Sequence, residues 1–355
     1  MAPQSKFRPE SLRKLCCDIF CAFGTPPMQA GIVADHLIES SLMGYESHGV
    51  TRCVYSAEEY KLGRLKPGAP VTVEQETPAG AIVNGHHNFG HVTAHKMVEL
   101  AVTKARDVGM SCILSRQCHH IGRLGAWTAK IAQEGLFAMA ATTCPKMGYW
   151  VVPFGGRDRR LATNPISWAA PTEGNPLVLD MTTSAISEGQ VRACMNAGEQ
   201  LPPGRIIDGH GRQTQDPNDL YGPPLGSILP FGGDLGYKAF GLSMLSVVFP
   251  HAMAGEQIVD EVHYINALSL MAVDPKTFGS AADYRQRVTE VAEFVKETPP
   301  AEGFTEVLLP GEGGYRRMEE NSKTGIALPE STWASLCDIA KEYEVSIPQD
   351  IQMSS

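Results

Sequence analysis

The sequence predicts an α/β protein, and three observations carry this prediction. Residues 110–143 read as a strand, a helix and a second strand, which is the unit that places two strands parallel in one sheet. Helical patterns occupy both chain ends, at residues 10–63 and 328–343. No G-x-G-x-x-G occurs anywhere, so a Rossmann cofactor fold is not supported. The 355 residues suffice for two domains or one elaborated α/β domain.

The composition excludes several classes of protein. A formal net charge of −9 predicts no binding to nucleic acid or to an anionic membrane surface. No apolar run approaches the roughly 18 residues of a membrane span, and the N-terminus lacks the apolar core of a signal peptide. Nine cysteines without a C-x-x-C pair indicate a reduced, cytoplasmic protein.

The N-terminal region reads as helices followed by a hairpin. The first helix has an apolar stripe and ends at Gly24, the second has prolines in its first turn and ends at Gly44, and the third reaches about Gly63. The segment "YESHGVTR" (45–52) joins the second helix to the third. Residues 71–85 read as two strands around a Pro-Ala-Gly turn.

The clearest pattern lies in the middle of the chain. It comprises a helix ending at Gly109, a strand at 110–115, a helix at 123–134 and a strand at 136–143. In sheets of this kind, ligands bind beyond the carboxyl ends of the strands. Because His119 and His120 follow the first strand and Cys144 follows the second, we expect a ligand crevice at these positions.

The C-terminal half gives expectations for five further segments. Residues 177–184 read as a strand that delivers Asp180, and the threonines and Ser184 are expected to cap the next helix. The remaining segments are a glycine turn leading into a helix that is apolar nearly all round and hence expected to be buried (230–249), a charged amphipathic helix (280–297), a loop (309–325) and a last helix (328–343).

His120 is the strongest candidate for a general acid or base. Histidine has the side chain whose ordinary pKa suits proton transfer near neutral pH. The positive end of the helix predicted at 123–134 disfavours a charge on the His120 ring and attracts a substrate carboxylate. In an adjacent pair of histidines, one of the two commonly only packs, and His119 is assigned this supporting role.

The loop at 45–52 offers a second set of polar groups. Ser47, His48 and Arg52 supply a hydroxyl, an imidazole and a guanidinium, which together can bind an oxo group and grip a carboxylate. Taken alone, the tripeptide Ser-His-Gly more often only ends a helix, with polar side chains that have no binding role.

Lys238 is a candidate for phosphate binding. It follows Gly232, Gly233 and Gly236 at the start of a predicted helix, and a cation beside free helix amides suits a phosphate. The spacing does not match a P-loop, and a lysine extending from a helix end explains the residue equally well.

A metal site is a minor alternative. His87, His91 and His95 recur every four residues, near His119 and His120. The run contains no H-E-x-x-H, no cysteine pair and no acidic residue, and partial burial at the edge of an apolar helix face accounts for His91 and His95. The prediction is no metal, and the rival function is a metal-dependent hydrolase.

Six motifs in order carry a family resemblance. They are "SHGVTR", "HHIGRLGAW", "VPFGGRDRRLATNPISWAAP", "LDMTTS", "GGDLGYKAFGL" and "LPGEGGYRR…GIALPESTW". Over residues 10 to about 345 the chain resembles the malate/L-lactate dehydrogenase family, the NAD(P)-dependent group unrelated to the Rossmann enzymes. The resemblance implies a homodimer with a non-Rossmann, mixed-sheet cofactor-binding domain (71–304, with a helical segment near 245–300) and a helical domain formed from both chain ends (1–70 plus 305–355).

The resemblance also assigns roles to residues. His120 is the expected acid/base, with His48 as second choice. The expected substrate contacts are Ser47, Arg52, His119 and Asn164, and the expected cofactor contacts are Cys144, Asp180, Met181, Thr182, Lys238, Gly311 and Glu312. The implied reaction is hydride transfer between NAD or NADP and the Cα of a small 2-hydroxy acid, 2-oxo acid or cyclic imino acid.

The chain departs from the family pattern near the substrate pocket. The departures are Cys118 before the histidine pair, Ala162 in "ATNP", the segment Tyr237 to Gly241 and a loop at 146–150 that is extended relative to the usual one. These departures leave open a second alternative, in which the chain is a member of the family that has lost catalytic activity and acts as a binding protein.

Overall fold

A seven-stranded mixed sheet forms the centre of the computed structural model, which describes residues 5–144, 148–256 and 265–353. Its strands, in spatial order, are β2 (Thr72–Glu76), β3 (Gly80–Asn84), β4 (Met110–Arg116), β11 (Ala267–Val273), β5 (Phe137–Thr143), β6 (Ile166–Ala170) and β7 (Leu177–Met181). Two small sheets pair β1 (Lys6–Phe7) with β12 (Ile326–Ala327), and β8 (Ile206–Ile207) with β9 (Gln213–Thr214) and β10 (Ser227–Ile228).

Helices flank the large sheet and build both chain ends. They are α1 (Pro9–Ala22), α2 (Pro27–Leu42), α3 (Thr51–Lys61), α4 (Gly90–Val108), α5 (Leu124–Gln133), α6 (Glu188–Ala197), α7 (Gly236–Ser246), α8 (Ala281–Lys296), α9 (Glu312–Thr324) and α10 (Glu330–Glu342). Among the residues that the structure describes, no helix has the length and apolar content needed to cross a membrane.

β11 occupies the middle of the sheet, between β4 and β5. It runs antiparallel to both neighbours, so β4 and β5 are parallel to each other as predicted, although they are not adjacent. The prediction of a helical segment near 245–300 is wrong over this stretch. The run "ALSLMAV" has the length of a strand and is almost entirely buried, a pattern that periodicity alone cannot separate from a buried helix.

One edge of the sheet collects the predicted site positions. β3 is parallel to β4, and β7 is parallel to β5 through the antiparallel β6 between them. The carboxyl ends of these four strands therefore share one edge. His119 and His120, Cys144 and Asp180 lie at or just beyond it, so the positions that the sequence placed at strand ends share this edge.

A helical core joins the two chain ends. Its fully buried side chains include residues of α1, α2 and α3 near the N-terminus and Leu336 of α10, with Ile326, Leu328 and Ile351 packed among them. The two chain ends therefore share one helical core, as the predicted fold class requires. A second core lies between the sheet and the helices α4 and α5, where Met97 and Trp127 are completely buried.

A third, small core packs α6 against the three-stranded sheet. The helix begins with a capping box in which the Ser187 side chain accepts the Gln190 N–H and Gln190 reaches back to the Ser187 backbone. The predicted caps, Ser184 and the threonines, are therefore wrong. Ser184 instead donates its hydroxyl to the carbonyl of Ile186.

The loop predicted at 309–325 is wrong, because residues 312–324 form α9. Gly311 precedes the helix with φ +90°, a conformation that suits glycine. Pairs of opposite charge four residues apart, Arg316 with Glu312 at 2.6 Å and Lys323 with Glu319 at 2.8 Å, support this polar helix. The sequence did not predict α9, because this segment contains glycines in its first turn and has no apolar stripe.

The predicted burial of the helix after the glycine turn is also wrong. α7 is apolar, yet Leu242, Leu245 and Val248 along it and its π-helical continuation (Val247–Ala252) are 38%, 45% and 59% exposed. Exposed large apolar side chains grouped on one helix are typical of a surface covered by another molecule.

Candidate active site

Two histidines from different parts of the chain face each other. His48 ends a short 3-10 turn (Glu46–His48) between α2 and α3, and His120 lies in the turn after β4. Their ring centroids are 5.7 Å apart with planes inclined by 29°. The fold thus unites the two polar segments that the sequence presents 72 residues apart.

His48 is bonded to Ser47. The Ser47 Oγ lies 2.9 Å from Nδ1 of His48. Because a hydroxyl can donate or accept, this bond is compatible with both the neutral and the protonated ring. Burial, together with the positive charges of Arg52 and Arg123, lowers the pKa of His48 to about 3, so the ring is neutral at physiological pH.

His120 receives a hydrogen bond from the main chain. The Gly122 N–H donates to Nδ1 at 3.1 Å, which leaves the proton of the neutral ring on Nε2. Burial is the largest cause holding the pKa of His120 well below its usual value, followed by Arg52 and His48. The sequence attributed this neutrality to the helix end, but α5 begins only at Leu124, and burial outweighs other causes.

Arg52 lies in the first turn of α3 and is held from two sides. Its Nε donates to the Ser47 carbonyl at 2.7 Å, and its guanidinium carbon lies 5.1 Å from the centre of the Tyr55 ring. In the described part of the chain, no carboxylate pairs with Arg52. A half-buried guanidinium without a protein counter-ion is a binding position for an anion.

His119 and Asn164, two predicted substrate contacts, are engaged elsewhere. Nε2 of His119 lies 3.4 Å from Glu59, which also pairs with Arg64 at 2.6 Å. The buried Asn164 amide accepts from Thr143 at 2.6 Å and donates to Ser243 at 2.9 Å, which ties β5 to α7. The side chains of His119 and Asn164 therefore already have polar partners within the protein, and neither of them needs a ligand to supply one.

Asp180 of β7 reaches the first turn of α5. Its carboxylate accepts the Gly125 N–H at 2.8 Å. Burial raises the pKa of Asp180, while Arg123 and the Gly125 N–H act in the opposite direction. Met181 and Thr182 follow it at the end of the strand, on the same sheet edge as Cys144. These four predicted cofactor contacts are therefore neighbours in the fold.

The other predicted cofactor residues lie at the beginnings of two helices, α7 and α9. Lys238 is exposed in the first turn of α7, where no side chain caps the helix. Gly311 lies beside Val178 on the outer edge of β7. Glu312 is bonded to Lys296, Arg316 and the Leu309 N–H; these contacts overcome burial and lower its pKa to about 2, so this carboxylate is already engaged.

His36 and Trp127 are site residues that sequence reasoning missed. Nε2 of His36 accepts the Arg123 N–H at 2.8 Å, and the Trp127 indole N–H donates to the Ile121 carbonyl at 3.0 Å. Both side chains are buried inside predicted amphipathic helices, where the sequence indicated packing only. The one signal in the sequence for a further role was a polar ring nitrogen on the apolar face of each helix.

The described residues contain no group of three His, Cys, Asp or Glu side chains arranged to hold a metal ion. His91 is 3% exposed, more deeply buried than its predicted place at a helix edge implied, and its ring lies 4.7 Å from that of His36. Burial is the largest cause that lowers the pKa values of both rings, and nearby positive charges lower them further. Those positive charges also disfavour a bound cation.

Comparison with known proteins decides the family. The family model described as malate/L-lactate dehydrogenase matches residues 7–337. The chain belongs to the malate/L-lactate dehydrogenase family. It is therefore an oxidoreductase of the dehydrogenase class, acting on a CH–OH group, which disfavours the hydrolase alternative.

Relatives in this family are similar over almost their full length. Hydroxycarboxylate dehydrogenase B of Escherichia coli (strain K12) is 30% identical over 97% of this chain and 96% of the relative. L-sulfolactate dehydrogenase of Methanocaldococcus jannaschii is 31% identical over 97% and 99%. The solved structure of delta1-piperideine-2-carboxylate reductase from Pseudomonas syringae has a TM-score of 0.83 and 27% identity, and it covers 95% of this chain and all of that one.

Proposed function

We propose that this dehydrogenase uses NAD or NADP and acts on the Cα of a small 2-hydroxy or 2-oxo carboxylate, or of a cyclic imino acid. One observation carries the proposal: the guanidinium of Arg52 has no carboxylate partner in the described residues and lies beside two stacked, neutral imidazoles. This combination suits a substrate with a carboxylate next to a hydroxyl, carbonyl or imine group.

The substrate carboxylate binds Arg52 in this proposal. The Nε bond to Ser47 and the Tyr55 ring hold the guanidinium and leave its terminal amino groups for a bidentate bond. With the carboxylate there, the adjacent functional group lies toward the histidine pair, because the charge of Arg52 acts on both rings.

Proton transfer is assigned to His48, and His120 holds the substrate oxygen or nitrogen. His48 accepts the hydroxyl proton in oxidation and returns it in reduction, and its Ser47 partner suits both protonation states. A protonated His120 would place a hydrogen on Nδ1 against the Gly122 N–H. The sequence favoured His120 as the acid/base; its hydrogen bond favours the reverse division of roles.

The cofactor is proposed to lie along the sheet edge, over Cys144 and the end of β7. When bound, a nicotinamide cofactor accepts or delivers the hydride. The Asp180 carboxylate already accepts an N–H of α5. No side chain caps α7, and its first turn carries the exposed Lys238. The residues fit phosphates at α7, where an exposed lysine lies at the positive end of the helix.

The protein is further proposed to be a cytoplasmic homodimer. None of the nine cysteines, all of which lie in the described residues, forms a disulfide, which suits a reducing compartment. The exposed apolar face of α7, defined by Leu242, Leu245 and Val248, is proposed as the surface that a second copy covers.

The oxidation of NADH and NADPH at 340 nm tests the proposal. Pyruvate, oxaloacetate, a branched 2-oxo acid and a cyclic imino acid are offered in turn to the purified protein. We expect a rate with at least one pair, which identifies both the cofactor and the substrate class. Cofactor binding without turnover of any substrate would favour a silent binding protein, and absence of binding would overturn the proposal.

A further inference from the structure

The turn that carries His120, residues 120–123, is bonded by side chains from three other elements. The Ile121 N–H donates to the Asn266 side chain at 3.1 Å, and the Ile121 carbonyl accepts from Trp127 of α5. The Arg123 N–H donates to His36 of α2. Each polar main-chain group named here is satisfied by a side chain, so the turn depends on its surroundings for its shape.

One peptide unit of this turn is bonded at both ends. The carbonyl of Ile121 accepts the Trp127 indole N–H at 3.0 Å, and the Gly122 N–H of the same unit donates to Nδ1 of His120 at 3.1 Å. Because the peptide unit is planar, the orientation of its carbonyl sets the orientation of its N–H. Trp127 therefore determines whether the Gly122 amide points at His120.

Gly122 requires this external restraint. Its φ is +74°, a region that glycine enters readily, but without a Cβ it can leave that region as readily. A larger residue cannot supply the restraint, because a Cβ would overlap Nε2 of His36 and lie 2.7 Å from Nε2 of His91.

His36 braces Trp127 and fixes the next peptide unit. The two rings stack with centroids 4.9 Å apart and planes inclined by 18°. Nε2 of His36 accepts the Arg123 N–H at 2.8 Å, which orients the peptide unit on the other side of Gly122. Both side chains are completely buried, so solvent does not compete for these bonds.

We propose that Trp127, braced by His36, is a positioning residue for His120, which fixes the histidine as the tautomer with its proton on Nε2. The inference rests on the proposed function, in which this Nε2–H binds the substrate oxygen or nitrogen. Trp127 touches neither substrate nor reacting atoms and acts only through the Ile121–Gly122 peptide unit.

Trp127→Phe tests the inference, because it keeps an aromatic ring against His36 and removes the indole N–H. Loss of one hydrogen bond predicts a fall in kcat/KM of roughly 2- to 10-fold, with unchanged NADH or NADPH affinity. Trp333→Phe is the matched control, since Trp333 packs on Phe7 in the helical core, 4.6 Å between ring centroids, away from the turn.

His36→Gln and His36→Asn form a second pair that does not depend on Trp127→Phe folding. A glutamine oxygen reaches the position of Nε2 and can accept the Arg123 N–H, whereas the shorter asparagine cannot. We expect His36→Gln to retain kcat/KM and His36→Asn to lose it. Equal behaviour of these two variants at equal thermal stability contradicts the inference.

A spectroscopic measurement separates this inference from the proposed function. Long-range ¹H–¹⁵N spectra of the ring, with His120 assigned by its loss in His120→Ala, show which nitrogen carries the proton. We expect the Nε2–H tautomer in the wild type and a mixture in Trp127→Phe and His36→Asn. A wild-type proton on Nδ1, or an unchanged tautomer in both variants, overturns the inference whether or not a substrate has been found.

Discussion

At the scale of single residues, two similar imidazoles differ because their Nδ1 atoms have different partners. A hydroxyl partners His48, and a main-chain N–H partners His120. Only the hydroxyl can turn from donor to acceptor when the ring gains a proton. The sequence identified both histidines and Arg52, since their residue types and loop positions are visible in it. It ranked His120 above His48, but the hydrogen-bond partners that reverse this ranking in our proposal are not visible in the sequence.

Replacement of His48 by Asn is expected to lower kcat by about 10²–10⁴-fold, the range typical of a lost acid/base, with cofactor affinity unchanged. Turnover is measured at 340 nm and cofactor affinity by NADH fluorescence. His120→Ala is the companion variant. If His48→Asn retains wild-type kcat while His120→Ala loses it, the proton-transfer role returns to His120, as the sequence first indicated.

Arg52→Gln is expected to raise KM for a 2-oxo acid and to lower kcat/KM by roughly 10- to 100-fold, since a charge-assisted bond to the carboxylate is lost. The same variant is assayed with the matching 2-oxo amide, which lacks the carboxylate charge and should lose far less. The surface variant Arg13→Gln serves as control. Equal losses with acid and amide would argue that Arg52 does not bind the carboxylate.

At the scale of elements, glycine contacts set the position of the histidine turn. Gly90, the first residue of α4, lies against the carbonyls of His119 and His120, and Gly122 lies against His36. The sequence showed the glycines near the histidine pair, but not which side chains approach them. Those side chains come from α2 and α4, far away along the chain.

Gly122→Ala is expected to reduce the free energy of unfolding by more than Gly135→Ala does. Both positions have positive φ, +74° and +84°, but only Gly122 has side chains within contact of an added Cβ. Gly135→Ala should cost about 1–2 kcal/mol, the strain of a left-handed conformation alone. Urea unfolding of both variants measures the difference. Equal destabilisation would mean that the turn relaxes around the methyl group.

Prediction of the elements failed where tertiary contacts replace a local pattern. β11 reads as an apolar run of ambiguous type, and it becomes a strand because β4 and β5 lie on either side of it. α9 lacks an apolar stripe, and its ion pairs and its contact with α2 stabilise it instead. The strand–helix–strand unit, with its strong periodicity, was predicted correctly.

At the scale of the whole molecule, four imidazoles make the fold sensitive to acid; His36 and His91 are buried, and His48 and His120 are half-buried. Burial is the largest cause that lowers the pKa values of His36, His48, His91 and His120 in the folded state. In the unfolded chain their pKa is about 6.5. At any pH between the folded-state and unfolded-state pKa values, the unfolded chain binds more protons than the folded protein. Acidification therefore favours unfolding.

The free energy of unfolding is expected to fall as the pH drops below about 6.5, by about 1.4 kcal/mol per pH unit for each of these imidazoles. Urea unfolding between pH 7 and pH 5, above the range where most carboxyl groups titrate, gives the slope. His91→Leu should reduce the slope by one such contribution. A free energy independent of pH in this range would mean that the rings take up protons without unfolding.

The assembly prediction concerns the apolar face of α7. Leu245→Glu is expected to convert a homodimer into monomers, because it places a charge in a surface from which water is excluded. Sedimentation velocity at micromolar concentration measures the change. Val291→Glu on α8, which replaces a similarly exposed side chain at 61% exposure, should leave the dimer intact. Dissociation by Val291→Glu alone would move the interface to α8.

The sequence by itself determined the α/β class, the strand ends that share one edge of the sheet and the residue types gathered there. These follow from periodicity and from the rule that the carboxyl ends of parallel strands share an edge. Only the tertiary structure decided the central place of β11, the exposure of α7 and the partners of each imidazole. Those properties depend on atoms distant in sequence, so packing between elements, rather than local preference, fixes burial, hydrogen bonding and therefore protonation.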